Sequence, residues 1–447
     1  MGSVSGLSAR QLRGVRGRLV EFASAVFESM ARKDQRRWGE VYVRGLMLDG
    51  KRKSIEPMAA RLEDGDEQCL QQFVNQSPWR WEPVRQRLAV KMTGELEPDA
   101  WVIDDTGFPK FGDKSVGVAR QYSGALGKVG NCQIGVSINA ATPQASCPLD
   151  WRLYLPTEWD EDPRRDACRV PADVRHEPKW KLALKMIDEL IGWGIEPAPV
   201  LGDCAYGDIT EFRLGLQERE IPYVLDVKSI TSALPEDSEP QRPAWSGVGR
   251  PPAARYRRPF SSLAELAKAT APAAWVDVQW REGTRGPMRS RFAAIRIRPA
   301  NVKLRRADRD GELPVRWLLI EWPDGEDAPD RLLDLQPPGR HAAATTRRAG
   351  QAALARRAGL PRAQRRARPR SLRGPLLARL APPRHPRQRR TRLSDHRTPP
   401  TPASPGGRLT SLFEVARELQ TLLACWQGTC PTCRTRLPPE HPLHQPP

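Results

Sequence analysis

The sequence lacks any run of about 18 consecutive apolar residues, the length that a membrane-spanning helix requires. Its start, Met1 to Arg18, is basic but contains no apolar signal-peptide core. We therefore expect neither membrane insertion nor secretion, and a cytoplasmic protein. The eight cysteines agree with a reducing compartment, because those between positions 69 and 204 are too scattered to form a disulfide framework.

Histidines and nucleotide-binding glycines are also scarce. His176 is the only histidine before residue 331, so histidine-based nucleophilic catalysis has little to build on. No Walker or dinucleotide glycine motif is present, which argues against nucleotide hydrolysis. Cys430-Pro-Thr-Cys433 is half of a possible zinc site, but a full site needs further ligands at suitable spacing, and we expect no zinc.

The positive charge is unevenly distributed along the chain. The formal net charge is +19, which ordinarily indicates a polyanionic partner. Residues 331 to 400, however, contain 19 Arg, no Lys and two acids, Asp334 and Asp395, so this segment carries +17 of the total. Bulk charge is therefore weak evidence for DNA binding by the folded part, where local clusters such as Lys51-Arg52-Lys53 stand out.

The first half of the chain divides into two predicted domains. Residues 1–95 carry apolar residues at helical spacing, for example Leu19, Ala23 and Val26, and we expect a helical N-terminal domain. From residue 96 the pattern changes to strands separated by Gly-rich and Pro-containing turns. Strands are predicted at Trp101 to Asp104, Cys132 to Ala140, Trp151 to Leu155, Pro199 to Asp203 and Tyr223 to Val227.

Two helices are predicted between these strands. One follows Pro178 and ends at Gly192 and Gly194, and the other spans Ile209 to Glu220. Strands that alternate with helices are typical of an α/β fold, and we expect an α/β core over residues 96–330.

The rest of the chain is predicted to hold an insertion, an Arg-rich segment and a tail. Residues 229–330 are expected to form a β-rich insertion in the core, with strands at Trp275 to Trp280, Phe292 to Arg298 and Val315 to Glu321. Residues 331–405 are rich in Arg, Ala and Pro without usable periodicity, and we predict disorder there. Residues 406–447 are predicted to be a helix and a tail.

Acidic residues follow two of the predicted strands. Asp104 and Asp105 end the strand that begins at Trp101, and Asp203 ends another; a Gly-containing turn follows in both cases. A charge at the end of a buried strand is costly unless it is paired or binds a metal. Carboxylates suit phosphodiester cleavage, which uses metal ions roughly 3.5 to 4 Å apart. The alternative is that these acids cap turns or helices, and we assign that role to Asp208.

Several strings of residues together resemble one known family. Trp101-Val-Ile-Asp-Asp-Thr-Gly-Phe-Pro-Lys110 and Val200-Leu-Gly-Asp-Cys-Ala-Tyr-Gly-Asp208 resemble, in order and spacing, the first and second acid motifs of bacterial insertion-sequence transposases of the DDE superfamily. Phe212-Arg-Leu-Gly-Leu-Gln217 and Tyr223-Val-Leu-Asp-Val-Lys228 are similar to the helix and strand that follow the second acid. The resemblance covers roughly residues 10 to 330.

This resemblance implies an RNase H-like mixed sheet in which an Asp, an Asp and a Glu bind Mg²⁺, with Mn²⁺ as a possible substitute. Asp104 matches the first acid better than Asp105, because the family has its acid two positions before Thr or Ser, and Asp203 matches the second. Strand alternation puts Asp104 and Asp105 on opposite faces, and Asp105 stays the alternative ligand.

The resemblance also implies metal-assisted hydrolysis at transposon ends, followed by attack of the freed 3′-hydroxyl on target DNA. Double-stranded DNA would be the partner, with a homo-oligomer assembled on paired ends and a bacterial, nucleoid-associated location. Lys51, Arg52, Lys53 and Lys110 are candidate DNA contacts, together with the helical domain and the β-rich insertion.

The family's third acid has no counterpart in the sequence. In the family it lies after the insertion in a Trp-Arg-x-Glu then Tyr-Arg-Glu pattern, whose expected place here is Gln351 to Gln364, QAALARRAGLPRAQ. Codons permitted for this string, read one nucleotide later, give KLRWRVEQDYREL, which contains the pattern. The new Glu codon spans Arg357 and Ala358.

We therefore hypothesise that roughly residues 331–404 are translated in a shifted frame, and that a second shift restores the frame. The alternative is a genuine disordered basic segment that binds DNA non-specifically. Without the third carboxylate we predict a chain that is inactive or nearly so. The rival functions are a non-catalytic DNA-binding or regulatory remnant of a transposase and a stand-alone nuclease with the same core.

Overall fold

The computed structural model describes residues 9–48, 53–124, 126–142, 145–249, 252, 254–283, 286–300 and 312–335. Several sequence-based predictions fall on other residues: Lys51, Arg52, the string Gln351 to Gln364, the helix and tail of residues 406–447, and Cys430 and Cys433 lie outside the described residues.

The described residues up to Leu88 form a helical unit. Leu19 and Val41 lie in one apolar cluster of this unit, and Ala23 and Phe73 lie in another. The helices are α1 (Ala9–Phe27), α2 (Lys33–Met47), α3 (Ile55–Ala59), α4 (Glu67–Asn75) and α5 (Trp81–Leu96), the last of which continues into the second unit.

The two tryptophans near the end of this unit differ in their surroundings. The Trp79 ring stacks on Phe73 with 5.4 Å between ring centroids, and its indole N–H donates to the Phe73 carbonyl at 2.8 Å. Trp79 is therefore an anchor of the apolar core. Trp81 is 53% exposed, and its ring lies 4.7 Å from the Arg85 guanidinium carbon.

The second unit, from Ala89, is built on one large mixed sheet, which confirms the predicted α/β class. Its order is β2-β3-β1-β5-β6-β12-β11-β10-β7-β8, with β4 paired to β3 and β9 paired to β10. The strands are β1 (Ala100–Pro109), β2 (Ala119–Ser123), β3 (Lys128–Ala141), β4 (Ser146–Tyr154), β5 (Val200–Gly202), β6 (Tyr223–Asp226), β7 (Ser232–Pro235), β8 (Ser261–Ser262), β9 (Val276–Gly283), β10 (Gly286–Pro299), β11 (Arg316–Trp322) and β12 (Arg331–Leu335).

Helices connect these strands. The helix predicted after Pro178 is confirmed, because a helix spans Lys179–Gly192. The second predicted helix, before β6, is confirmed at Thr210–Glu218. The helices are α6 (Arg164–Ala167), α7 (Lys179–Gly192), α8 (Cys204–Gly207), α9 (Thr210–Glu218) and α10 (Leu263–Lys268), with 3-10 turns at Thr157–Trp159 and Pro272–Ala274.

Three neighbouring strands run parallel in the middle of the sheet: β5 pairs with β1 on one side and with β6 on the other. Val102, Leu201 and Val224 belong to one buried apolar cluster, so these residues of β1, β5 and β6 share a face. The carboxyl ends of parallel strands lie at one edge of a sheet, where ligands commonly bind.

The β-rich segment after residue 229 joins the same sheet, and its strands at β9, β10 and β11 confirm the predicted ones. The connection is β12, which pairs with β6 and β11. This corrects the predicted limit of the disordered segment, because residues 331–335 form a strand. Leu332, Leu333 and Leu335 are buried, and their apolar side chains outweigh the local Arg-rich composition.

Within the described part of the chain, the helices are all too short or too polar to cross a membrane.

Candidate active site

Asp104 and Asp203 follow the paired residues of two neighbouring parallel strands. The register pairs Trp101 with Val200 and Val102 with Leu201; Asp104 lies two residues beyond Val102 within β1, and Asp203 lies two residues beyond Leu201, directly after β5 ends at Gly202. Because side chains alternate along a strand, Asp104 shares the face of Val102 in β1. Besides burial, the negative charges of Asp203 and Asp104 both raise the pKa of Tyr206, so the two candidate metal ligands lie near the same side chain.

Asp203 also caps the short helix that follows it. Its backbone is extended, and its carboxylate accepts a hydrogen bond of 3.0 Å from the Ala205 amide. The Asp203 carbonyl accepts from the amides of Tyr206 and Gly207 at 3.0 and 2.8 Å. The capping alternative and the ligand prediction are therefore compatible, since a carboxylate that accepts one amide hydrogen bond keeps other lone pairs for a cation.

Two glycines let the Asp203 turn approach β6 closely. A Cβ on Gly207 would lie 1.9 Å from the Asp226 carbonyl oxygen, and one on Gly202 would lie 2.9 Å from a Leu225 methyl. Only glycine fits at Gly207 without moving backbone. These contacts fix where Asp203 leaves the sheet.

The Asp104 carboxylate is held by its own strand neighbour. The amide of Asp105 donates to Asp104 Oδ1 at 2.8 Å. Across the β1–β3 pair, the buried Ser137 hydroxyl donates to the Asp104 carbonyl at 3.3 Å and accepts from Asn139 at 3.0 Å. The backbone at Asp104 is therefore fixed on two sides.

Asp105 is engaged on both carboxylate oxygens. Lys179 Nζ lies 2.6 Å from Asp105 Oδ2, and the Tyr206 hydroxyl donates to Asp105 Oδ1 at 2.5 Å. Tyr206 is only 1% exposed. Burial, followed by the negative charges of Asp105, Asp203 and Asp104, raises the pKa of Tyr206 well above its usual value, so its hydroxyl remains a donor.

Two further acids lie near the same turn, and one corrects a prediction. Asp208 does not cap the following helix, whose N-cap is Ile209. Instead, its carboxylate accepts a hydrogen bond of 3.0 Å from the Lys228 amide and pairs with the Lys228 ammonium at 3.0 Å.

Burial raises the pKa of the Cys204 thiol to about 11, and the negative charges of Asp226, Asp208 and Asp203 add to this rise. This thiol is therefore protonated at neutral pH.

Asp226 lies level with Asp203 on the next parallel strand. The register pairs Gly202 with Leu225, so one more residue brings Asp203 opposite Asp226. The Asp226 carboxylate lies 3.5 Å from the Arg331 guanidinium. An ion pair to β12 accounts for its charge.

The donor set fits part of a divalent-metal site. Asp104 lies in the middle of β1 rather than at a strand end as predicted, because pairing with β3 continues β1 to Pro109, and Asp203 directly follows β5. Both are hard carboxylates, the ligands that Mg²⁺ and Mn²⁺ prefer. Among the described residues, however, no three His, Cys, Asp or Glu side chains form a group that could hold a metal ion. Asp104 and Asp203 are therefore two candidate ligands, and the described part of the chain adds no third that forms a group with them.

The basic DNA-contact candidates are spread over the chain. Lys53 donates from its ammonium to the Leu48 carbonyl in the helical unit. Lys110 follows β1 directly, and its backbone is bound to Asn131 through hydrogen bonds of 2.9 and 3.1 Å. Lys110 thus lies past the end of the strand that carries Asp104.

The sequence patterns predicted roles for Asp104 and Asp203 but none for Tyr206 and Lys179. The signal for Tyr206 was present, since it lies in the second acid motif three residues after Asp203. No local pattern connects Lys179 with Asp105, because 74 positions separate them and only the packing of α7 brings them together.

Comparisons with known proteins point to one family. The family model described as DDE superfamily endonuclease matches residues 25–287, a range that contains both Asp104 and Asp203. The chain is 29% identical over 189 residues to a protein of Microchaete diplosiphon named "Probable transposase for insertion sequence element IS701". That alignment covers 41% of this chain and 47% of the relative, so the chain spans about half the length of the curated relative it matches.

The family match extends over more than half of the sequence and accounts for the mixed sheet, which is of the RNase H-like class. The chain belongs to the DDE superfamily endonucleases.

Proposed function

We propose that this protein is a DNA transposase whose core performs metal-dependent cleavage and strand transfer at insertion-sequence ends. The observation that carries the proposal is that β1, which contains Asp104, lies beside and parallel to β5, which Asp203 directly follows. Support comes from the family match and from the relative named as an IS701 transposase.

Asp104 and Asp203 would hold the metal, Mg²⁺ or alternatively Mn²⁺. A divalent cation bound there supplies an activated water and stabilises the leaving oxygen of the phosphodiester. The chain's own part is to hold the two carboxylates at a fixed spacing, and Asp104 suits this role better than Asp105. Asp105 is engaged with Lys179 and Tyr206, and alternation turns it to the other face.

The proposed metal site lacks its third carboxylate in the chain as written. The Glu recovered by a shifted reading of codons 351–364 is the candidate, and those residues lie outside the described part of the chain. Loss of one carboxylate of three weakens metal binding and leaves the reacting oxygens less well placed. We therefore propose that catalysis by the chain as written is impaired, and that a frame-corrected chain is active.

The second candidate function is a non-catalytic DNA-binding or regulatory remnant of a transposase. The observation that favours it is the absence, among the described residues, of a three-ligand metal group. Such a remnant would still occupy transposon ends. Metal-dependent cleavage separates the two functions, and cleavage without joining of ends would indicate a stand-alone nuclease.

The proposed partner is double-stranded DNA, as transposon ends and as target, with the protein assembled as a homo-oligomer on paired ends. Lys110 and Lys53 are the described candidate contacts, and Lys51 and Arg52 complete the set. Because phosphate contacts release counterions, replacing a contacting lysine is expected to reduce both the affinity and its dependence on salt concentration.

The test is a cleavage assay with the full chain, its frame-corrected version and the Asp104→Asn and Asp203→Asn variants of both. The substrate is a plasmid that carries the coding segment with its flanking DNA, incubated with Mg²⁺ or Mn²⁺. We expect cleavage at the element's ends by the frame-corrected chain and its loss in both variants. Cleavage that persists in both variants would overturn the assignment of the two carboxylates.

A further inference from the structure

We propose that Tyr206 and Lys179 are positioning residues that set the spacing of the Asp104 and Asp203 carboxylates by acting through Asp105. This inference rests on the proposed function, because it gives a purpose to the spacing of the two carboxylates. It goes further by assigning a role to three side chains that bind no metal themselves.

The first step is that Asp105 joins two separate elements to β1. Its Oδ1 accepts from the Tyr206 hydroxyl at 2.5 Å, and Tyr206 belongs to α8. Its Oδ2 lies 2.6 Å from Lys179 Nζ, and Lys179 is the first residue of α7. The carboxylate is therefore fixed in orientation from two directions.

The second step is that this link forms a chain of hydrogen bonds from Asp104 to Asp203. Asp105 donates its amide to the Asp104 carboxylate at 2.8 Å. Tyr206 lies in the turn that Asp203 caps, and its amide is bound to the Asp203 carbonyl at 3.0 Å. A hydrogen bond between the side chains of Asp105 and Tyr206 thus connects the middle of β1 to the turn that follows β5.

The third step is that the charges in this link are matched. The paired side chains of Lys179 and Asp105 are 32% and 23% exposed, respectively. The Lys179 ammonium also lies 5.2 Å from the centre of the Tyr154 ring. The ammonium offsets the negative charge of Asp105 beside the acid pair. An amide at Asp105 would leave Lys179 as an uncompensated cation near the metal position.

The experiment measures Mn²⁺ binding directly, by electron paramagnetic resonance of free Mn²⁺ titrated with the full-length chain, alongside thermal unfolding without metal. Partners that orient metal ligands typically contribute about 10- to 100-fold in affinity. We expect Tyr206→Phe to weaken Mn²⁺ binding by about tenfold. Asp105→Asn should weaken it as well, and the double variant Asp105→Asn with Lys179→Met should regain part of the loss.

Tyr223→Phe is the matched control. Tyr223 is also 1% exposed, and its hydroxyl accepts from Gln217 at 2.9 Å, away from the acid pair. It should lower the melting temperature to a similar extent as Tyr206→Phe, with Mn²⁺ affinity unchanged. A purely structural role for Tyr206 would make the two variants alike in both measurements and would overturn the inference.

Asp203→Asn separates this inference from the proposed function. If Asp203→Asn leaves Mn²⁺ binding unchanged, the proposed metal site is wrong, whatever Tyr206 does. If Asp203→Asn abolishes binding while Tyr206→Phe and Tyr223→Phe bind equally well, only the positioning role is wrong.

Discussion

The Arg213 guanidinium donates a hydrogen bond of 2.6 Å to the carbonyl oxygen of Gly207. Arg213 is buried in α9, and Gly207 closes the turn that begins at Asp203. The same guanidinium lies 3.5 Å from the Asp334 carboxylate in β12, and both side chains are 5% exposed. One buried arginine therefore joins the turn of the second acid to the strand that links the two halves of the sheet.

Replacement of Arg213 by Leu is expected to destabilise the protein by about 3–5 kcal/mol, because it leaves Asp334 buried without its closest cation. Urea unfolding followed by circular dichroism measures the change. Arg32→Ala is the control, since the Arg32–Asp34 pair is exposed and should contribute nothing measurable. A loss below about 1 kcal/mol in Arg213→Leu would show that this pair contributes no more than an exposed ion pair does.

The same variant should show a distinctive pH dependence. Burial raises the pKa of Asp334 above its usual value, and Arg213 and Arg316 oppose that rise. An acid whose folded-state pKa is raised costs stability as pH rises from the unfolded-state value through the folded-state value. Without Arg213 this cost grows, so the destabilisation by Arg213→Leu should be larger at pH 8 than at pH 5. An equal loss at both pH values would show that Asp334 is not the source.

Gly207→Ala should be strongly unfavourable. The new Cβ would lie 1.9 Å from the Asp226 carbonyl oxygen, so the Asp203 turn must move away from β6, at an expected cost of about 1–3 kcal/mol. Gly192→Ala at the end of α7 is the control, because a Cβ there meets nothing within 4 Å. That control should be neutral or stabilising by about 0.5–1 kcal/mol. Equal melting temperatures for the two variants would contradict the close approach.

Replacement of Asp203 by Asn and by Ala should have different effects on the stability of the protein. Asparagine is as good an N-cap as aspartate, so Asp203→Asn keeps the hydrogen bond from Ala205 and should leave the melting temperature almost unchanged while metal binding is lost. Asp203→Ala loses the cap as well, at a cost of about 0.5–2 kcal/mol. Calorimetry without metal, paired with a Mn²⁺ titration, checks both. Metal binding retained in Asp203→Asn would show that the carboxylate is only a cap.

Much of the sheet could be predicted because its signals are local. The apolar run before Asp104 and Asp105, the helix after Pro178 and the strands after residue 270 were all predicted and are present. The alternation rule also separated Asp104 from Asp105, and the engagement of Asp105 by Lys179 and Tyr206 agrees with that separation.

The predictions failed where residues far apart in the sequence determine the local structure. Composition assigned residues 331–335 to a disordered segment, but pairing with β6 and β11 makes them a strand. Asp208 precedes a helix as a cap would, yet Lys228, 20 positions later, binds its carboxylate instead. The positioning of Lys179 beside Asp105 likewise depends on how α7 packs, which no short stretch of sequence encodes.

The most direct test of the proposed two-carboxylate site and its missing third acid is the rate of Mn²⁺-dependent cleavage, measured side by side for the chain as written and for the frame-corrected chain. A lost ligand should cost at least as much as a lost orienting partner, so we predict that the corrected chain cleaves about a hundredfold faster or more. Its activity should disappear with Asp203→Asn. Equal rates for the two chains would contradict the account, because the segment after residue 335 would then contribute nothing to the metal site.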